Sequence, residues 1–288
     1  MKLIKQSFEI LEQKDFTLES IKRFIERCAR VSYKSEDKIT DTSYERFVDM
    51  LENRGHFRTL EFGTVHLKMS MYSLDTLQNV LITNRAYNDQ WIKYYIKGEE
   101  AYITTNYRYY LTIKSLYPPI KKYFTDEDND FYPKRHTVHM IISRGVMDEF
   151  RTHVGLSHLA ESTRYCSYNK DKFDNQLTFI QPNWINFTEQ GVAICNDEGS
   201  PESVFIDSLE NAEDTYLFLI KSGWKPQQAR DVLPLEIKSE LISCGFKDAW
   251  FNFFYRRCAK DAHPMARDIA IPMQEKFKEL GYIDSSNN

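Results

Sequence analysis

The run HTVHMIIS at 136–143 constrains the fold most, because it reads as a β-strand in the middle of the chain. FGTVHLKM at 62–69 reads as a second strand, and LTFIQP at 177–182 as a third, ended by its proline. Between and after them the spacing turns helical. Leu18, Ile21, Phe24, Ile25, Cys28 and Val31 share one helical face within 18–31. KSEDKIT at 34–40 is a polar loop. Ser43 is placed as the cap of a helix bearing Phe47, Met50 and Leu51, which Arg54-Gly55-His56 ends.

Residues 72–132 have the least regular pattern, with many tyrosines, Pro118-Pro119 and the acidic DEDND at 126–130, and are expected to be a helical excursion with a surface loop. Residues 146–165 are expected to form a helix that breaks and restarts near Gly155. After Pro201, the residues Ile206, Leu209, Tyr216, Leu217 and Ile220 fit one helical face that Gly223 ends. Pro226 opens the next helix and Pro234 stops it, and helices at 247–261 and 264–280 follow. Strands in the first two thirds and helices later give an α+β fold: a mixed or antiparallel sheet with packed helices and a helical C-terminal half. No linker interrupts the chain, so residues 1–288 are read as a single domain.

Composition excludes several function classes. The formal charge of −4 argues against a broad nucleic-acid footprint. No run of 18 or more apolar residues exists, so no membrane partner is expected. The N-terminus MKLIKQSFEILEQKDF lacks the apolar core of a signal peptide, which makes a cytoplasmic protein the default. Cys28, Cys166, Cys195, Cys244 and Cys258 are scattered without a CxxC pair, so neither a disulfide framework nor a cysteine zinc site is supported.

The densest chemistry lies in RTHVGLSHLAESTRY, 151–165, where arginines, histidines and hydroxyls are threaded among apolar residues. No glycine-rich phosphate loop accompanies it, so a bound nucleotide would be held by side chains, arginine above all. A guanidinium fork donates two parallel charge-assisted bonds to phosphate. Ser162-Thr163-Arg164, Arg230 and Arg256-Arg257 are the candidates, against the plainer alternative that each makes a weak surface ion pair. Arg257 follows the aromatic run WFNFFY, which could desolvate it. The histidines do not make a metal site: His136 and His139 alternate across a strand, and His153 and His158 stand five apart. No Gly-x-Ser-x-Gly elbow surrounds Ser157, and Cys166 would need a depressed pKa to act as a nucleophile. The pattern suggests a site for an anionic, ring-bearing ligand with reactivity borrowed from a cofactor.

These residues resemble those of the flavin-dependent thymidylate synthases. The blocks CARVSYKSEDKIT (28–40), RGHFRTLEFGTVHL (54–67), SRGVMDEF (143–150), ESTRYCSYNKDKF (161–173), LTFIQP, ARDVLP (229–234) and WFNFFYRRCAKDAHPMARDIA (250–270) occur in family order. Residues 70–132 look like an insertion that only some members carry. The resemblance implies methylation of dUMP to dTMP, with methylenetetrahydrofolate as carbon donor and NADPH reducing a bound FAD, in a homotetramer. It implies that Glu149, Arg151, Ser162, Thr163, Arg164, Arg230 and Arg257 contact dUMP, with Arg257 as the catalytic residue at the uracil edge. It implies that His56, Arg58, Thr152, His153, Val154 and Asn252 surround the flavin, and it implies no metal.

The chain departs from the family pattern on the flavin side. The signature Arg-His-Arg, seven residues, Ser falls on Thr152, His153, Val154 and Ser162, and Arg151 stands one residue too early. Ala160 stands where Glu or Gln is usual, and Arg58 where a small hydroxyl residue is expected. Two other readings stay open at this point: an enzyme acting on another pyrimidine nucleotide, and a non-catalytic nucleotide-binding relative.

Overall fold

The computed structural model describes residues 1–162 and 176–284. Thr163, Arg164 and Cys166, singled out above, lie outside the described residues. The chain begins with strands β1 (Lys2–Ile4) and β2 (Ser7–Leu11), then helices α1 (Leu18–Tyr33) and α2 (Ser43–Asn53). A 3-10 turn at Thr59–Phe62 leads into β3 (Thr64–Ser70), α3 (Met71–Thr83), β4 (Ile92–Lys97), β5 (Glu100–Asn106), α4 (Tyr107–Leu116) and β6 (Phe124–Thr125). Then come β7 (Arg135–Ser143), α5 (Arg144–Phe150), β8 (Ser157–Ala160) and β9 (Thr178–Ile180). The remainder holds α6 (Pro201–Lys221), α7 (Pro226–Ala229), β10 (Lys238–Phe246), α8 (Lys247–Arg257) and α9 (Pro264–Glu279).

Two antiparallel sheets organise these elements, in the orders β2-β7-β10-β8 and β4-β5-β3-β6, and β1 pairs with β9 in parallel. The fold class is α+β, as the sequence pattern implies. Helix α1 forms as its stripe dictates: Thr17 caps its start by accepting from the Ser20 N–H at 3.2 Å, and Lys34 ends it in the left-handed conformation (φ 49°). Its buried face of Ile21 and Ile25 joins Leu67, Leu77 and Ile103 in the core of the sheet β4-β5-β3-β6. A second core gathers Met140, Phe150, Leu241, Trp250, Phe254 and Phe277 around β7, β10, α8 and α9.

Three expectations are corrected. The segment 72–132 is more than a helical excursion with a surface loop: besides helices α3 and α4 it supplies β4, β5 and β6, which extend the sheet begun by β3. Its tyrosines are structural there, with Tyr109 and Tyr110 buried in the core. The helix expected at 146–165 stops at Phe150, and the chain turns through Gly155 at φ 91° into the strand β8. A right-handed helix excludes that backbone angle, and β8 finds its partners on β10, more than 80 positions away (241 against 160). Finally, Ser43 is the first residue of α2 rather than its cap; Thr42 holds the cap position without a side-chain bond, while the Ser43 hydroxyl donates to Glu26 at 2.9 Å.

Candidate active site

Helix α8 buries Trp250, Phe253 and Phe254, and the Trp250 indole N–H donates to the His136 carbonyl at 3.0 Å. This anchoring sets the last helical residue, Arg257, against the segment that follows α5. Its guanidinium donates from Nε to His153 Nε2 at 2.8 Å and from Nη1 to the Glu149 carboxylate at 2.5 Å. Nη2 donates to the Glu149 carbonyl at 2.7 Å and to the Thr152 hydroxyl at 3.3 Å. The planar fork thus clamps three residues of one turn, and a cleft of about 990 Å³ opens beside it, lined by residues 254–262 and Gln274.

The clamp fixes protonation states. Because Arg257 only donates, His153 Nε2 must accept, so the proton of the neutral ring sits on Nδ1. Burial, reinforced by Arg257 and Arg256, pushes the His153 pKa down to about 4. His158, behind it, reaches the His153 carbonyl from Nε2 at 3.3 Å and the Ser243 hydroxyl from Nδ1 at 2.8 Å. Burial also lowers His158 to about 4, with Arg58 and Arg151 adding to the effect. Both imidazoles are neutral at pH 7.

Glu149, Thr152, His153 and Arg257 are therefore brought together. The remaining candidates stand apart from that clamp. Arg151 is exposed and pairs with Asp148 at 3.7 Å. Val154 is 68% exposed, which suits contact with another molecule better than packing within this one. Arg230 lies in a 3-10 turn with Asp231 at 3.7 Å. Asn252 accepts from Arg256 at 3.3 Å, and His56 Nδ1 bonds the Tyr33 hydroxyl at 2.8 Å. Arg58 is exposed at the start of the Thr59–Phe62 turn. The Ser162 N–H donates to the Ser32 carbonyl at 3.3 Å, which ties Ser162 to the end of α1.

Two polar centres have no counterpart in the sequence reading. Glu61 is buried and accepts from the Ser157 hydroxyl at 2.6 Å and from Arg108 Nη1 at 2.5 Å. Glu240, on β10, binds Lys34, Lys238 and, at 2.9 Å, His139. Lys238 also reaches Glu161 at 3.0 Å. Burial alone would raise the Glu240 pKa, but His139, Lys238 and Lys34 outweigh it and hold the carboxyl well below the carboxylate range. Apart from Lys238 and Glu240, two residues apart on β10, these partners lie far apart in sequence, and no local spacing announces them. Among the described residues no group of three or more His, Cys, Asp or Glu could hold a metal ion. A second cleft, of about 690 Å³, lies between the end of β2 and the start of β7 and is lined by none of the residues assigned to dUMP or flavin and by no part of the clamp.

The α+β fold thus sets an arginine against a neutral histidine and a carboxylate at the end of α8. The family model described as thymidylate synthase complementing protein matches residues 134–280, and the chain belongs to that family. The flavin-dependent thymidylate synthase of Haloarcula marismortui is 25% identical over 146 residues, which cover 46% of this chain and 58% of that protein. The chain thus spans little more than half the length of this curated relative. Among solved structures, the UMP/dUMP methylase PolB from Streptomyces cacaoi bound with 5-Br dUMP is similar at a TM-score of 0.44 and 15% identity, over 97% of this chain and 93% of that one. The same protein bound with 5-Br UMP gives 0.45 and 14%, over 97% and 92%.

Proposed function

We propose that the protein methylates dUMP to dTMP, taking the carbon from methylenetetrahydrofolate, with FAD reduced by NADPH. The observation that carries this reading is the Arg257 clamp, which lies inside the stretch matched by the family. A guanidinium at the uracil edge stabilises negative charge on the pyrimidine and so makes its C5 a better nucleophile. Glu149 and His153 hold that guanidinium in one orientation before the substrate arrives. Ser162, Thr163, Arg164, Arg230 and Arg151 are assigned to the dUMP phosphate and sugar.

The flavin is assigned to His56, Arg58, Thr152, His153, Val154 and Asn252. The donor set fits a dinucleotide: Arg58 is exposed, and among the described residues no carboxylate pairs with it. When bound, FAD would supply the carbon and hydride transfer at this site. A homotetramer fits the apolar surface beside the clamp, where Val154, Phe251 (43% exposed) and Tyr255 (74% exposed) face outward. No helix among the described residues is long and apolar enough to cross a membrane.

The test is a spectrum of the purified protein through one turnover. A flavin band that bleaches with NADPH and returns as dTMP forms supports the reading. Turnover of UMP but not dUMP would replace it with the other-nucleotide reading. Protein that binds dUMP but takes up no FAD would replace it with the non-catalytic one.

A further inference from the structure

The cleft of about 690 Å³ takes one wall from the segment 70–132: Tyr94 and Tyr95 stand on β4, and Phe131 follows β6. The end of β2, the start of β7 and Tyr282 supply the facing side. Helix α8 begins at this cleft with Lys247 and ends at the clamp with Arg257, about 15 Å away at the rise of an α-helix. The two places are therefore separate, and the cleft has the size of a small-molecule site.

Aromatic rings furnish its surface. Tyr95 is 51% exposed and stacks on Phe131 at 5.8 Å and 11°, so a flat π face stands open. His66 is sandwiched between Phe16 at 3.7 Å and Tyr132 at 4.0 Å, which leaves only its edges for polar contact. Its Nδ1 bonds the Glu127 carbonyl at 2.9 Å and so donates, which makes Nε2 of the neutral ring an acceptor. Among the described residues nothing donates to that nitrogen. His136, stacked on Tyr282 at 3.9 Å, is buried, and among the described residues neither of its ring nitrogens has a hydrogen-bond partner. Burial lowers both histidines to about 4, so both are neutral at pH 7. Two unspent imidazole edges thus line one cleft, where an unmade hydrogen bond is costly. Charge decides what kind of ring they suit. Lys14, Lys134, Arg135 and Lys247 face Glu12, Asp128 and Asp130 across the lining, and Asp284, which holds Lys247 at 2.9 Å, evens the balance. Arg135 is occupied by the Glu61 carbonyl at 2.7 Å and the Thr64 hydroxyl at 3.1 Å. No surplus charge favours a phosphate or a carboxylate.

We propose that this cleft binds an uncharged aromatic heterocycle bearing N–H donors, the class of the nucleobases and nucleosides, with its ring on Tyr95 and its donors on His66 Nε2 and His136. The 70–132 segment thereby builds a second ligand site, remote from the clamp, by adding one wall to the sheet edge that β2 and β7 present.

The test is saturation-transfer NMR with adenosine, guanosine, thymidine and cytidine in turn, with dUMP in excess to keep them out of the clamp. At least one nucleoside should bind the wild-type protein with a Kd of about 1 mM or tighter, and its 5′-monophosphate should bind no better. Tyr95→Ala, which removes the stacking face, should weaken that binding by about fivefold or more. His66→Phe, which keeps the ring sandwich but removes the acceptor, should also weaken it by about fivefold or more. Wild-type protein that binds none of the four overturns the proposal, as does binding that both variants retain in full. A monophosphate held ten times more tightly than its nucleoside overturns the uncharged class. Tyr95 is exposed, so Tyr95→Ala decides the matter even if His66→Phe does not fold.

Discussion

At Arg257 the identity of the cation matters more than its charge. Its N–H groups serve a ring nitrogen, a carboxylate, a carbonyl and a hydroxyl at once. A lysine ammonium has three donors and no plane, so it cannot reproduce that set. Arg257→Lys is expected to lower kcat for dTMP formation by about a hundredfold or more, while far-ultraviolet circular dichroism stays native. Undiminished turnover would remove Arg257 from the reaction. Glu236 shows the opposite case, a charge without a partner. Its Oε1 is buried with no hydrogen bond, and burial pushes its pKa up to about 7 from the usual 4.5. The favourable contribution of this raised pKa is complete below pH 4.5 and is lost as pH rises through 7. Glu236→Gln should therefore raise the melting temperature at pH 8 and change it little at pH 4.5; equal shifts at both would show that the carboxyl is already solvated.

The elements differ in how openly the sequence announces them. Helix α1 declares itself through a stripe and two caps, and β7 through a compact β-branched run. Strand β10 does not: all but its first residue are buried, with Ser239, Glu240 and Ser243 among them, so no alternation marks a face. Strand β8 has four residues, and its character comes from pairing with β10 rather than from its own pattern. The same physics divides the site. Glu149 and Arg257 stand in blocks that resemble a family and His153 keeps its place in the altered signature, whereas Glu61 and Arg108, and Glu240 for the most part, acquire roles through partners distant in sequence. Gly155 is the hinge of this region. A Cβ there would meet the Ala249 Cβ at 3.1 Å, on a backbone at φ 91°. Gly155→Ala is expected to cost about 1–3 kcal/mol, measured by chemical denaturation; a neutral result would mean that the turn can relax.

Across the whole molecule, His66, His136, His153 and His158 are each lowered to about 4, burial being the leading cause in every case. Unfolded, each would titrate near 6.5. Their contribution is complete above pH 6.5 and is lost as pH falls towards 4, because the unfolded chain takes up protons that the folded one refuses. Each proton adds about 1.4 kcal/mol per pH unit to the slope. Acid denaturation should steepen between pH 6.5 and 4, and proton uptake on unfolding at pH 5, measured by calorimetry in buffers of different ionisation enthalpy, should exceed two; uptake near zero would contradict the buried neutral rings.

The strand order also sets a timetable. The sheet β4-β5-β3-β6 draws on residues 64–125 alone, whereas β2-β7-β10-β8 joins residues 7–11 to residues 238–246. On the ribosome the first sheet can close while the second still waits for its central strand, and loop-closure entropy makes that late pairing slow. Until residue 246 emerges, β7 keeps one open edge and β8 has no partner at all. A nascent chain arrested there is a template for edge-to-edge aggregation, so the protein's yield in a cell depends on how quickly β10 is delivered.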